Sequence, residues 1–264
     1  MFLPFSSLFA QDENMSEHNN FKLAFEFGTI VTSGELVKPD RIRANHSSGY
    51  NDENSFGLWG ERSSLQTTYF GVKPEFFVFN NRIGIASGLR FTIASSKLLS
   101  DKDGFYWKMK ENGLNTEYVR IKDLHQESYL LSVPIEIRFF PNNRELPFQH
   151  YFKIGASLNY LVDSKNQATF TNKEMEKHSV LVQSQFPQNN VFSSFLFGAV
   201  GFKIGKTKEG HWVPWGNIEL HFPYLLLTDK SFAFVGKYNG DFPGIGIQLS
   251  FQIPIGNNLP IGSK

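Results

Sequence analysis

Residues 244–255, Gly244-Ile-Gly-Ile-Gln-Leu-Ser-Phe-Gln-Ile-Pro-Ile255, decide the fold. Ile245, Ile247, Leu249, Phe251, Ile253 and Ile255 occupy every second position. Gly244, Gly246, Gln248, Ser250 and Gln252 lie between them, and Pro254 closes the run. Successive side chains of a β-strand face opposite sides, so such a strand has one apolar wall and one polar wall. Working back towards the N-terminus, the same alternation recurs often enough to define eight strands. Hairpin connections between them predict an all-β fold: an eight-stranded antiparallel up-and-down barrel.

The expected strands are Phe21–Thr32, Ser64–Phe79, Arg82–Ala94, Ser128–Phe140, Gln149–Val162, Val191–Ile204, His211–Leu226 and Gly244–Ile255. Between them the connectors run long, short, long, short, long, short and medium. Asn80-Asn81 is a tight turn of the asparagine-rich kind. The connector from Ser95 to Glu127 holds β-prone segments on either side of Glu111-Asn112-Gly113, which predicts a hairpin projecting beyond the ring. A short helix is expected over Asn172–His178. All short turns then fall at one end and all long loops at the other. This is the layout of an outer-membrane barrel, with short periplasmic turns and long extracellular loops.

Composition narrows the class. The chain has 264 residues, a formal charge of +1 and no cysteine. The near-zero charge gives no electrostatic case for nucleic acid, and the missing thiols exclude disulfides and thiolate metal sites. Phenylalanine is abundant, at 28 residues, and aromatic side chains favour both strands and the rims of membrane barrels. Mean hydropathy is −0.28, low for a helical membrane protein. No run approaches the roughly 18 apolar residues of a membrane helix. Residues 1–10 read as the tail of an export signal ending Ala10-Gln11, 11–20 as a flexible lead-in, 21–256 as the barrel and 257–264 as a tail.

The polar wall tells which way the ribbons face. It carries Lys22, Glu26, Lys73, Glu75, Arg82 and Arg90, and further along Glu136, Arg138, Lys153, Lys203, Glu219 and His221. Gly28, Gly71, Gly84, Gly88, Gly155, Gly201 and Gly246 are interspersed with them. The interior of an eight-stranded barrel is just wide enough to be packed by side chains, and small residues beside long charged ones suit it. On a solvated surface so many glycines would weaken strands for no steric purpose. The charges are therefore expected in the lumen as a paired polar core, with the Ile/Leu/Phe wall facing lipid and no wide aqueous pore. Phe79, Phe139, Phe140, Tyr151, Phe152, Trp212 and Trp215 are expected at one rim; Tyr69, Phe70, Tyr160 and Tyr224 are expected nearer the other.

The strand Tyr129-Leu-Leu-Ser-Val-Pro-Ile-Glu-Ile-Arg-Phe139 resembles the "Tyr-Leu-x-Ile-Pro" strand of the PorT-like outer-membrane β-barrel proteins of Bacteroidota, with Val133 in place of isoleucine. Phe152-Lys-Ile-Gly155, Gly198-Ala-Val-Gly-Phe202 and the Ala-Gln signal ending are similar too. The resemblance spans about Phe21 to Ile255. It implies a cell outer-membrane location, and by analogy with the founding member an association with type IX secretion. The family shares a barrel rather than a catalytic centre.

Other chemistry is thin. Glu219 and His221 are neighbours on the polar face, a pair that an outer-membrane lipid hydrolase could use as orienter and base, and Ser250 is on the same wall of the next strand. No nucleophile motif surrounds them, so lumen packing is the preferred reading. His125, His150, His178 and His211 lack metal spacing, and no cofactor is expected. Trp59, Phe105, Tyr106, Trp107 and Tyr118 in the long connectors either bind a protein partner or glycan or pack the loops. The leading expectation is a non-enzymatic scaffold or binding component whose partners are outer-membrane lipid and proteins met through the long loops. The alternatives are the lipid-modifying enzyme and a soluble lipocalin-like carrier.

Overall fold

The computed structural model describes residues 21–37, 39–43, 61–79, 82–100, 104–112, 115–141, 149–208, 211–240 and 242–254. The export signal, the lead-in, the C-terminal tail, Trp59 and the Asn80-Asn81 turn lie outside them, as does the side chain of Trp212. The chain is all-β, in one antiparallel sheet. Its strands are β1 (Phe21–Thr32), β2 (Ile42–Arg43), β3 (Glu61–Val78), β4 (Ile83–Ser87), β5 (Leu89–Ser100) and β6 (Phe105–Asn112). They continue with β7 (Asn115–Phe139), β8 (His150–Phe170), β9 (Phe192–Lys208), β10 (His211–Leu226) and β11 (Ile245–Pro254).

The ladders close on themselves. β1 pairs with β3 on one side and with β11 on the other, in register from Lys22↔Pro254 to Val31↔Ile245. β4 and β5 share one place in the ring, between β3 and β7. Their ladder lapses only at Gly88, where the sequence reading has a single strand. β7, β8, β9, β10 and β11 follow in order, which completes a ring of eight strand positions.

Several strands outrun their expected ends. β7 begins at Asn115 and β8 runs to Phe170, pairing far beyond the ring. The expected hairpin is present as β6 and the first half of β7, so its second arm is continuous with a ring strand. Turn chemistry marks where a strand reverses. It does not mark where a polar strand continues above the level of the apolar wall. A 3₁₀ turn (Lys173–His178), capped by Asn172, leads into the short α1 (Ser179–Ser184), which packs on β8.

The interior is layered. Phe77, Phe140 and Tyr151 cluster at the short-turn end. Charged side chains fill the middle. Above them, Tyr69, Leu130, Phe195, Phe197, Tyr224 and Phe232 form part of one apolar cluster. Trp107, Phe105, Ile121, Leu124, Val182 and Phe234 form part of another, built by the strand extensions and connectors. The all-polar core expected from the sequence is thus a polar belt between apolar layers. Ser231–Val235 is buried throughout and bridges the two upper clusters.

This corrects several expected rim aromatics. Phe140, Tyr151, Tyr69 and Tyr224 point inward and are buried, whereas Phe79, Phe139, Phe152, Trp215, Phe70 and Tyr160 are exposed. Tyr224 turns inward because the β9–β10 register shifts between His221 and Tyr224, which reverses the alternation beyond Phe222. Phe105 and Trp107 are buried in the connector-end core and Tyr106 and Tyr118 are half-buried, so these aromatics pack the connectors.

Candidate functional site

The ring gathers charged residues from six of its strands into one buried network. Each long side chain lies across from a small neighbour: Glu26 from Gly71, Arg138 from Gly84, Glu136 from Ala86 and Gly155, and Glu219 from Gly201. The small residues leave the volume that the long ones occupy.

Glu136 is the hub. Its carboxylate accepts from Lys73 Nζ at 2.6 Å, Arg90 Nη2 at 2.5 Å and Lys153 Nζ at 3.3 Å. Glu26 takes Lys73 Nζ at 2.7 Å and a two-pronged contact from Arg90. Arg138 donates to both oxygens of Glu75 at 3.1 Å and to Glu219 at 2.9 Å. Lys153 also pairs with Glu219. Four glutamates thus meet two lysines and two arginines, all with side chains at most 4 % exposed. The charges cancel, as burial requires.

Polar neighbours complete the network. Tyr151 donates to Glu219 at 2.6 Å and Tyr69 to Gln248 at 2.7 Å, while Gln248 donates to Glu26 at 3.1 Å. Tyr69 and Tyr151 also lie under Arg90 and Arg138, with ring centroids 4.6 and 5.2 Å from the guanidinium carbons. The sequence alone predicts both tyrosines at the rims and does not place Gln248 among the charged set. Parity was the available signal: Tyr69 alternates in step with Lys73, and Tyr151 with Lys153.

Of the expected polar set, Glu26, Lys73, Glu75, Arg90, Glu136, Arg138, Lys153, Glu219 and His221 come together. Lys203 is buried at the short-turn end, bonded to Gln149 and 4.3 Å from the centroid of Phe140. Lys22 is half-buried beside Glu75 in register, 5.8 Å from the Phe77 centroid. Arg82 is a correction. It is exposed in the turn before β4, because the ladder starts one residue later and imposes no inward direction on it.

His221 Nε2 lies 3.3 Å from Glu219 Oε2, so the expected neighbours do touch. Lys153 Nζ also sits 3.3 Å from the same ring nitrogen. Ser250 is elsewhere. It pairs in register with Asn217 and accepts from its amide at 3.1 Å, four residues along β10 from His221. That is roughly 13 Å at strand rise, too far for base and nucleophile. Among the described residues, no group of His, Asp and Glu is arranged to hold a metal ion. The network's geometry suits it to tying strands together through a neutral, hydrogen-bonded belt. Comparison with protein-family models and with curated proteins finds no match for this chain.

Proposed function

We propose that the ring is an eight-stranded transmembrane β-barrel of a bacterial outer membrane, with its short turns periplasmic and its long connectors extracellular. In this reading the protein is a non-enzymatic scaffold or binding component. The observation that carries it is the ring's outer face. Phe27, Phe70, Ile135, Ile154, Leu158, Phe222 and Ile247 are each more than half exposed, and comparable side chains stand out from every strand position. A water-soluble monomer rarely exposes an apolar patch beyond a few hundred Å², whereas a girdle around a whole ring matches the lipid face of a membrane barrel. The height fits as well. On β8 the outward residues run from Phe152 to Val162, ten steps of about 3.3 Å, or roughly 23 Å if tilted by about 45°.

The buried network supports the same reading against a lipocalin-like carrier. A soluble carrier puts its apolar wall inside and its charges in water, the reverse of the arrangement here. Association with a type IX-like secretion assembly rests on the resemblance of Tyr129–Phe139 to the PorT-like strand. The test of the membrane reading is fractionation with a gel comparing heated and unheated samples. Recovery with outer membranes and faster migration before heating are expected; a stable monomer purified without detergent would sink the proposal. The secretion association is tested by a mild-detergent pull-down from native outer membranes, which is expected to bring down a large secretion channel; its absence would remove that association. Replacing His221 by alanine is expected to leave the membrane lipid composition the same as in wild type; a change in lipid turnover would favour the lipid-modifying alternative.

A further inference from the structure

The connector between β10 and β11 turns into the molecule instead of running over it. Asp229, Lys230, Lys237 and Gly240 are exposed, whereas residues Ser231 to Gly236 are all buried. Loops normally stay on the surface because their backbone N–H and C=O groups need partners. Here the partners come from three sides. From the β8–β9 connector, Asn190 N donates to Lys230 O at 2.7 Å. From the segment after β1, Val37 N donates to Phe234 O at 3.1 Å, and Glu35 O accepts from Gly236 N at 2.7 Å. From β7, Gln126 Oε1 accepts from Ala233 N at 3.1 Å.

Gln126 joins these pieces. Its Oε1 also accepts from Asn189 Nδ2 at 2.6 Å, and its Nε2 donates to Asn166 Oδ1 at 3.0 Å. One buried amide therefore fastens both the β8–β9 and the β10–β11 connectors to the β7 wall. Aromatic side chains fill the mouth. The Phe232 ring lies 6.2 Å from that of Phe195, and the Phe234 ring 5.4 Å from that of Phe186, centroid to centroid. The next inward residues towards the charge belt, Thr92 and Ser132, bond each other at 2.9 Å, and Ser132 faces Arg90 in register. The buried segment thus separates solvent at the connector end from the hydroxyls and charges of the lumen.

Its attachment differs from that of the ring. β1 and β11 are joined by a continuous ladder from Lys22↔Pro254 to Val31↔Ile245. The segment has one bridge, Leu36↔Val235, and isolated bonds. It is bounded by residues of positive φ, Lys230 at 53° and Gly240 at 106°, and a Cβ on Gly240 would meet nothing within 4 Å. Both ends can therefore turn without breaking a strand ladder, and segments held by few backbone bonds open at lower free energy than the whole fold. We propose that residues 231–236 are a plug that closes the ring's connector end and is released as a unit, with the Gln126 amide as its latch and Lys230 and Gly240 as its hinges. Release admits water to the lumen above Arg90 while the ring ladders stay formed. The device does not depend on what surrounds the outer face of the ring.

The test is hydrogen exchange of the full chain in detergent micelles, read peptide by peptide by mass spectrometry. Residues 231–236 are expected to exchange at least about tenfold faster than the β1–β11 ladder, the mark of opening short of global unfolding. Gln126→Leu keeps the bulk and removes the acceptor of Ala233 N, so it is expected to speed the plug about tenfold further and to leave the ladder unchanged. The chain has no cysteine, so the double variant Leu36→Cys with Val235→Cys reports on the same motion. The bonds Val37 N to Phe234 O and Gly236 N to Glu35 O flank this pair. It is a non-hydrogen-bonded antiparallel pair, the kind whose Cα atoms stand about 4.5 Å apart and within disulfide reach. The oxidised pair is expected to slow the plug to the rate of the ladder, and reduction to restore its exchange. Plug and ladder exchanging at one rate in the wild type overturns the proposal. So does a Gln126→Leu chain that keeps its compact gel band with the plug's exchange unaltered, or a disulfide that forms without slowing it. The disulfide variant decides even where Gln126→Leu fails to fold.

Discussion

At the scale of single residues, the ring is held by charges that have no water to fall back on. Glu136 touches Lys73, Arg90 and Lys153, so Glu136→Gln leaves buried cations short of a counter-charge. Removing one partner of a buried pair costs about 3–5 kcal/mol, and a lower temperature for loss of the compact gel band is the expected outcome. Asp229→Asn is the contrast. Its 3.8 Å pair with Lys237 is more than half exposed on both sides, and no measurable shift is expected. Glycine matters here through space. A Cβ on Gly201 would sit 2.2 Å from the Tyr151 ring, and one on Gly28 would sit 2.4 Å from the Tyr69 ring. Gly201→Ala is therefore expected to push Tyr151 off Glu219 and to destabilise by about 1–3 kcal/mol, read from urea unfolding in micelles.

At the scale of elements, β7 and β8 each belong to two structures. Their lower halves alternate apolar-out and charged-in as ring strands. Their upper halves leave the ring and, with β6 and α1, enclose a conventional apolar core around Trp107. The two cores should fail separately. Trp107→Ala removes a fully buried indole and its bond to Gln185, a loss of about 3–5 kcal/mol for that cluster. Expected is faster proteolytic cleavage within β6 and the upper half of β7, with the heat-modifiable ring retained. Equal loss of both would show that they unfold as one unit. The buried Ser231–Val235 segment ties the cluster above to the one nearer the ring.

At the scale of the whole molecule, the proposed barrel is inside-out relative to a soluble one, and its lipid face should be graded by depth. Leu158 lies near the middle of the apolar run on β8 and Val162 at its end. Leu158→Lys is expected to cost about 2–4 kcal/mol of folding free energy in vesicles, against about 0–1 for Val162→Lys, measured by urea titration. Equal costs would count against a bilayer crossing. The interior is filled by a charge belt between aromatic layers, so no stepwise conductance is expected in a planar bilayer.

Within a regular strand, the amino-acid order alone assigns each residue to one wall or the other. Side-chain alternation has a fixed period of two, and a run such as Ile245–Phe251 leaves no other way to segregate its apolar residues. The bounds of the first strand are legible to the residue, and so is the mixing of small residues with long charges on one wall. Packing in three dimensions settles the places where the period is interrupted or carries no hydrophobic contrast. The register shift before Tyr224 flips that side chain inward, and the polar continuation of β8 to Phe170 looks like loop until its β7 partner is seen. Which acid meets which cation was also beyond reach. It depends on cross-strand register and on side chains meeting across the lumen, distances that no spacing along one chain encodes.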